Sequence, residues 1–451
     1  MVILMTATAL IWTGCSSGAT PGDSGKASGE GKIKTKNVRF VTVESDPPSV
    51  AAFRELIAEF EELNPGIKIN LEMLGADQLS TKLTTAIATN SPPDVSQADQ
   101  TLIYEFANKG YLAPMNDVID RVGRDKWVPG SVVRIGDSDW SVPYAGTAAV
   151  LWYRKDLFEQ YNVKPPTNWQ EYLEAAKKLT LDTNGDGKPD VYGLSMPAGQ
   201  NSWTENVFYM FMWANGQTLF DKDTNLTLNT PATLEALNMY KELAKYAPPD
   251  IGTYSYYETI DAFGAGKTAM GIYEGRLLSR VAANNPEIEP HTGALTWPSE
   301  KAKVTEGIWK SYVVYKGSEV QEEAKKWVEF ITTGKRSTKF LQTVPGHLLP
   351  PVQDQEVLDE YAKHPLLQNH PDDFKTIVES QKIAISQLDE PGAIQNGQII
   401  YDRVLNPYMN TISSRDVIAK MVQKVLLGNM DPQQAINEAE AEIEQIMNEM
   451  K

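Results

Sequence analysis

The sequence predicts an α/β protein of two domains, on the strength of its opening pattern and its length. Residues 38–43 form an apolar run typical of a buried strand, residues 50–63 carry apolar side chains at helical spacing, and residues 67–73 alternate apolar and polar side chains. Strand, helix and strand in this order predict a βαβ unit with parallel strands. A chain of 451 residues is too long for one ordinary core, so two domains are expected.

The rest of the chain is read from the same periodicities. A tight glycine turn is expected between a helix and a strand within residues 262–273. The other predicted elements are a helix at 79–87, a short strand near Val95, a helix that closes at Gly110, helices at 169–179, 205–214 and 232–246, a strand at 311–315, a helix at 319–331 and an almost wholly helical stretch at 393–450.

Composition and charge exclude several functions. The chain is 41% hydrophobic and 22% charged, as in a soluble globular protein. Its net charge of −17 disfavours nucleic acid and anionic lipid headgroups, because both would be repelled. No segment after the first 15 residues is apolar over the about 20 residues that span a bilayer.

Cys15 is the only cysteine and follows the uncharged, apolar stretch 2–14. A Gly- and Ser-rich stretch follows it. This pattern predicts a lipoprotein signal peptide over 1–15 with an acylated Cys15, and a flexible tether over 16–36. The protein would then be extracytoplasmic and lipid-anchored at the cell membrane. No Lys or Arg precedes the apolar stretch, and an incidental free cysteine is the alternative.

Motifs for catalysis are few, so we expect no enzymatic activity. The four histidines show no metal-ligand spacing, and a cysteine in the leader cannot serve as a nucleophile. Residues 266–268 match the last three positions of a phosphate-binding loop motif, but Asp261 occupies the position of the motif's first glycine. A pair of carboxylates forming a glycoside hydrolase site stays open as an alternative.

Residues 182–190 carry the one metal-binding pattern. Oxygen donors stand at the offsets of an EF-hand loop, with Gly187 at the sixth position and Gly193 in place of the bidentate Glu. No cofactor is required, but a structural Ca²⁺ is predicted here; the alternative is a surface loop held by its own hydrogen bonds. The predicted ligands are Asp182, Asn184, Asp186, Lys188 and Asp190.

Tryptophans and tyrosines are the other candidate binding residues, because aromatic rings stack on the apolar faces of sugars. We assign Trp203 and Trp309 to the ligand, since polar residues such as Glu205 and Lys310 are their neighbours. Trp169, Trp213 and Trp327 are expected in the core.

Several segments together resemble the extracellular solute-binding proteins of carbohydrate ABC importers, the group that includes maltodextrin-binding protein. Their order and spacing cover nearly the whole mature chain. The most recognisable is FGAGKTAM at 263–270; the others are 53–61, 64–67, 93–95, 142–147, 151–158, 166–169, 324–331 and 346–350.

The resemblance implies two lobes with mostly parallel sheets flanked by helices, and a ligand cleft between them. Lobe one would comprise 36–148 plus 262–334, and lobe two 149–261 plus 335–451. The lobes would close on the ligand by hinge motion. Carried over to this sequence, the cleft residues would be Glu44, Asp46, Asp77, Gln78, Asp99, Gln100, Tyr144, Tyr273, Glu274, Arg276 and Lys310.

Arg276 departs from the family pattern, where a Trp is common. A guanidinium suits bidentate carboxylate binding, so the ligand could carry an acid group. The alternative is that Arg276 pairs with Glu274 or a cleft aspartate and meets neutral sugar hydroxyls.

The function that the resemblance implies is a monomeric receptor that binds a mono- or oligosaccharide and delivers it to the permease subunits of an ABC importer. Two alternatives are a surface-anchored glycoside hydrolase and the same fold with a non-sugar ligand. For the non-sugar alternative, a ferric ion is suggested by Tyr254, Tyr256 and Tyr257.

Overall fold

The computed structural model describes residues 35–75, 78–387, 392–400 and 406–450. Cys15, the predicted signal peptide and residues 16–34 of the predicted tether lie outside the described residues, as does Asp77. Within the described ranges, no helix is long and apolar enough to cross a membrane.

Short strands and many helices alternate along the chain. The strands are β1 (Lys36–Thr42), β2 (Ile67–Met73), β3 (Val95–Ala98), β4 (Arg134–Ile135), β5 (Ser138–Asp139), β6 (Val142–Gly146), β7 (Val150–Arg154), β8 (Met270–Tyr273), β9 (Thr292–Leu295), β10 (Thr305–Glu306), β11 (Trp309–Val314), β12 (Ala384–Ile385), β13 (Ile394–Gln395) and β14 (Gln398–Ile399). The helices are α1 (Pro47–Leu63), α2 (Leu79–Ala88), α3 (Gln100–Asn108), α4 (Asn116–Val122), α5 (Lys155–Gln160), α6 (Trp169–Lys178), α7 (Ser202–Ala214), α8 (Pro231–Ala244), α9 (Tyr256–Gly264), α10 (Arg276–Asn284), α11 (Gln321–Thr332), α12 (Thr338–Leu341), α13 (Gln355–Tyr361), α14 (Pro365–Asn369), α15 (Pro371–Gln381), α16 (Met409–Ser414), α17 (Val417–Leu426) and α18 (Pro432–Glu449).

The first sheet has the order β2-β1-β3-β11-β6. Strand β1 pairs in parallel with β2 and with β3, which confirms the predicted βαβ unit. Helix α1 connects β1 to β2 and buries Phe53, Leu56 and Phe60. Strand β11 runs antiparallel to its neighbours β3 and β6, so the sheet is mixed.

The second sheet, of order β8-β7-β9, differs from the predicted mostly parallel arrangement. Both β8 and β9 run antiparallel to the central strand β7. Helix α10 connects β8 to β9, so these two strands share a direction, as in an ordinary crossover. Strand β7 lies between them in the opposite direction, because it enters from the first sheet through residues 147–149.

These pairings also differ from the predicted lobe boundaries. Residues 262–334 were expected in lobe one, but β8 and β9 belong to the second sheet. Strand β11, in the same range, belongs to the first. The chain therefore returns to the first sheet between Leu295 and Trp309, not near residue 262.

Helix α7 is the centre of the helical part next to the second sheet. Eleven of its residues are buried, and α8 and α17 pack against it. Trp169, Trp213 and Trp327 are buried, as predicted for the core. The stretch 393–450 is not helical throughout, because β13 and β14 form a hairpin over the positive-φ pair Asn396 and Gly397.

Candidate ligand-binding site

Three segments lie side by side where the chain passes between the two sheets, and we call residues 146–149, 305–308 and 346–349 the crossing region. The backbone N–H of Ala149 donates to the Glu306 carbonyl at 2.8 Å, and that of Gly146 donates to the Leu349 carbonyl at 3.0 Å. This region brings side chains from distant parts of the sequence together.

Glu44, Tyr144 and Lys310 form the first group at this place. The Tyr144 hydroxyl donates to Glu44 Oε1 at 2.8 Å, and Lys310 Nζ lies 3.0 Å from the same oxygen. Burial by itself raises the pKa of the Glu44 carboxyl, but Lys310 and Tyr144 outweigh burial and hold the pKa below its ordinary value. Three predicted site residues therefore meet in one ionised, hydrogen-bonded group.

Trp203, Tyr256 and Tyr273 form an aromatic wall. The ring of Trp203 lies 5.0 Å from the ring of Tyr256 and 5.0 Å from that of Tyr273. Burial and nearby carboxylates raise the pKa of Tyr256 to about 12, so its hydroxyl stays protonated; Ser202 Oγ lies 3.2 Å from it.

The buried polar atoms that lack a hydrogen-bond partner in the described structure include three beside the wall: Trp203 Nε1, Asn206 Oδ1 and Glu306 Oε2. We call them the unpaired set. Asn206 Nδ2 reaches Glu306 Oε1 at 3.4 Å, which places two of the three side by side. Trp203 and Glu306 are 1% and 3% exposed, so solvent hardly reaches them.

Buried polar groups are nearly always paired, and each unpaired one costs about 1–3 kcal/mol. Because these three atoms have no partner in the chain, they are candidates for hydrogen bonds to a ligand. The set combines the N–H donor of Trp203 with oxygen atoms of Asn206 and Glu306, and hydroxyl groups can bond to both kinds of atom.

Glu274 and His347 add a buried contact behind this set. His347 Nδ1 lies 3.1 Å from Glu274 Oε2. Burial opposes ionisation of Glu274, yet His347 and the Thr147 hydroxyl hold the pKa of Glu274 below its ordinary value. Burial lowers the pKa of His347. Burial and the Glu274 charge together raise the pKa of Glu306 well above its ordinary value, so Glu306 holds its proton more tightly than a free carboxyl.

Arg276 is the first residue of α10 and is partly buried. Its charge acts on the hydroxyl of Tyr273 and on the ring of His347, so it lies close to both. Within the described residues its side chain forms no hydrogen bond or ion pair. The alternative of a pair with Glu274 is not observed among these residues, and Glu274 contacts His347.

The remaining predicted site residues have local structural roles. Asp46 accepts from the Ser49 N–H at the start of α1, and Asp99 accepts from the Leu102 N–H at the start of α3. Exposed Gln78 bonds back to the backbone of Gly75. Buried Gln100 accepts from the Ser386 hydroxyl at 3.0 Å.

Glu205 and Trp309 also have identified neighbours. Glu205 accepts from the Ser413 hydroxyl at 2.8 Å, and burial raises its pKa to about 7. Its Oε2 therefore has a partner in α16, whereas its Oε1 is buried without one. Trp309 is 4% exposed and covers Gly146, where a Cβ would lie 2.3 Å from the indole ring.

The loop at 182–190 is closed by its own hydrogen bonds. Asp182 accepts from the backbone N–H groups of Gly185 and Gly187 at 2.6 and 2.8 Å, and Asp190 accepts from Thr183 and Asn184. No cluster of three or more His, Cys, Asp or Glu side chains in the described part of the chain is arranged to hold a metal. Calcium binding in this loop stays a prediction.

The tyrosines considered for iron binding have separate surroundings. Tyr254 is buried and bonds Asp250, and Tyr256 belongs to the aromatic wall. Tyr257 is exposed beneath the guanidinium of Arg280, at 5.1 Å.

Four residues of the site were not predicted from the sequence: Asn206, Tyr256 as part of the wall, Glu306 and His347. Asn206 follows Trp203 by three residues, so both share one face of α7. Glu306 precedes Trp309 by three residues. His347 lies in a segment that supported the family resemblance, but its partner Glu274 is far away in sequence.

Two sheets joined by crossing segments, with polar and aromatic side chains gathered where they meet, define a two-lobed ligand-binding protein. The comparison with solved structures agrees, because the similar folds are two-lobed periplasmic binding proteins. The chain belongs to the family of bacterial extracellular solute-binding proteins, whose model matches residues 45–335.

Similar proteins have known or named ligands. The diacetylchitobiose binding protein DasA of Streptomyces coelicolor is 28% identical over 332 residues, which cover 70% of this chain and 74% of that protein. The mannitol-binding protein of Pseudomonas aeruginosa is 30% identical over 227 residues, 47% of this chain and 49% of that protein. An ABC substrate-binding protein of Listeria monocytogenes in complex with cycloalternan superimposes with a TM-score of 0.66 at 25% identity, covering 92% of this chain and 99% of that one.

Proposed function

We propose that this protein captures a saccharide between its two lobes and delivers it to the permease subunits of an ABC importer, without breaking a bond in the ligand. The family is one of extracellular solute-binding proteins, and the similar proteins named above include binders of sugars or a sugar alcohol. A lipid anchor at Cys15 and a monomeric state are part of the proposal.

The observation that carries this proposal is the unpaired set beside the aromatic wall. A sugar ring has an apolar face, which stacks on indole and phenol rings, and hydroxyls that donate and accept hydrogen bonds. Such a ligand would satisfy Trp203 Nε1, Asn206 Oδ1 and Glu306 Oε2 together. Glu44 and Lys310, across the crossing region, would supply further polar contacts.

Closure of the lobes would link capture to delivery. A ligand that contacts both lobes stabilises the closed state by its difference in affinity for the two states. The crossing region, with three segments between the sheets, is suited to act as the hinge. We place the hinge there, and the lobe boundaries follow the sheets that each strand joins.

The test is a binding measurement with a panel of neutral and acidic saccharides, first by thermal shift and then by calorimetry. We expect a one-to-one complex from which the ligand is recovered intact. Trp203→Phe, which removes the indole N–H, should weaken binding about 5- to 10-fold, the value of one neutral hydrogen bond. The matched control is Trp169→Phe, because Trp169 Nε1 is also buried and unpartnered but its ring packs against Phe211.

Three outcomes would contradict the proposal. They are no binding to any saccharide, release of reducing sugar from an oligosaccharide, and equal loss of affinity in the two Phe variants. The second outcome would instead favour a glycoside hydrolase.

A further inference from the structure

Arg276 projects from a rigid corner of the site. Its neighbour Gly275 lies against the backbone of Gly346, where a Cβ on Gly275 would come within 1.8 Å of the Gly346 carbonyl oxygen. Leu277 and Leu278, the next two residues of α10, are 0% and 1% exposed. The backbone that carries Arg276 is therefore fixed on both sides.

Other cations in this part of the molecule already have carboxylate partners. Lys310 pairs with Glu44 at 3.0 Å. Arg280, one turn further along α10, makes two bonds to Asp261 at 2.6 and 3.0 Å. Arg276, in the part of the chain that the structure describes, has no such partner, although it is partly buried and lies close to Tyr273 and His347.

A guanidinium without a partner next to a ligand site suits an anionic group with two accessible oxygens. Its planar N–H donors match the two oxygens of a carboxylate in parallel hydrogen bonds. The positive end of the α10 dipole lies at the same residue and favours an anion as well. The chain has a net charge of −17, so an anion would meet a repulsive field without a local cation.

We propose that the ligand is an acidic saccharide, such as a uronate-containing oligosaccharide, whose carboxylate binds Arg276. The sugar ring would lie against the aromatic wall, and its hydroxyls would meet the unpaired set. This inference rests on the proposed function and adds the chemical class of the ligand.

The experiment compares pairs of ligands that differ only in charge. Mono- and oligosaccharides that contain glucuronate or galacturonate are measured by calorimetry beside their neutral methyl esters, and sugar phosphates and neutral glycans complete the panel. The proteins are the wild type, Arg276→Gln, Arg276→Lys and the control Arg280→Gln. Arg280 lies on the same helix but is already paired with Asp261.

We expect a carboxylated saccharide to bind more tightly than its methyl ester. Arg276→Gln should weaken binding of the acid about 10- to 100-fold, as expected for charge-assisted hydrogen bonds, and should change binding of the ester little. Arg276→Lys should keep part of the preference, because the charge remains but the two-pronged geometry does not. Arg280→Gln should bind like the wild type.

The proposal is overturned if only neutral glycans or only sugar phosphates bind, or if Arg276→Gln weakens acid and ester equally. In the case of neutral glycans, the proposed function stands and the acidic ligand does not. If no saccharide of any kind binds, the proposed function fails as well.

Discussion

The loop at 182–190 and the unpaired set are both rich in polar atoms, but they differ in burial and in pairing. Asp182 and Asp190 are exposed, and both accept hydrogen bonds from their own loop. Trp203 and Glu306 are buried, and each has a polar atom without a partner. The loop is therefore exposed and bonded within itself, whereas the unpaired set is buried and lacks partners.

The difference follows from what water can do. An exposed oxygen that loses its protein partner is hydrated, so an exposed acidic cluster needs no ligand. A buried donor or acceptor is satisfied only by an ordered water or a ligand, and without either it keeps its cost. The comparison therefore predicts opposite results when residues of the two regions are changed.

A third region, around His370, tests whether burial alone marks a site. His370 is 3% exposed, but its Nδ1 lies 3.0 Å from Asp373 and its Nε2 lies 2.6 Å from Glu289. Lys155 contacts Asp373 at 2.8 Å. Because every group is paired, we expect His370→Gln to lower the free energy of unfolding by about 3 kcal/mol without changing ligand affinity.

The pH dependence of that effect has a definite sign. Burial by itself lowers the pKa of His370, but the bonds to Asp373 and Glu289 outweigh it and raise the pKa above its ordinary value. The folding free energy that protonated His370 contributes is fully present below the unfolded pKa of about 6.5. It is lost as pH rises through the folded pKa. Urea unfolding should therefore show a larger deficit at pH 6 than at pH 9. Exposed His291→Gln is the control, and a deficit that grows with pH would contradict this account.

Glu306→Gln should have the opposite effect on the unliganded protein. Because the pKa of Glu306 is raised, its ionisation costs no folding free energy below the unfolded pKa of about 4.3. Above that pH the cost in folding free energy grows until the pH reaches the folded pKa. We expect the variant to be more stable than the wild type by about 1–3 kcal/mol at pH 8 and equal at pH 4. Urea unfolding measures this; Glu322→Gln, at an exposed position, is the control. A less stable Glu306→Gln at pH 8 would show that the carboxylate is satisfied in the unliganded protein.

The smallest effect is expected in the loop. Asp182→Asn weakens the bonds that close it and should cost about 1 kcal/mol, with no change in saccharide affinity. If the predicted Ca²⁺ is bound, a chelator should lower the Tm of the wild type by about 2–4 °C and leave Asp182→Asn unchanged. An unchanged wild-type Tm would end the calcium prediction, and a loss of saccharide affinity in Asp182→Asn would end the contrast between the two regions.

Local patterns could be predicted from the sequence because they depend on neighbours along the chain. The apolar spacing of α1 and the alternation of β2 correctly gave the βαβ unit. Residues 394–399 were expected to be helical, although Asn396 and Gly397 are a typical hairpin turn. The Asn-Gly pair is itself a hairpin signal, but the residues on both sides of it have a helical pattern.

The site was only partly predictable, since its contacts join distant segments. Glu44, Tyr144 and Lys310 were each proposed for the cleft, and they do meet. Glu306 and Asn206 lie 100 residues apart, and no local pattern states that they are neighbours. Whether β8 and β9 join the first or the second sheet also depends on pairing across the fold.

The touching backbones of Gly275 and Gly346 have a consequence for signalling. Gly275 precedes α10 and Gly346 belongs to the crossing region, and no side chain fits between the two backbones at Gly275. A ligand that binds Arg276 would therefore act directly beside the contact between α10 and the crossing region. The residue that selects the ligand and the segment proposed as the hinge of lobe closure would then be in direct contact.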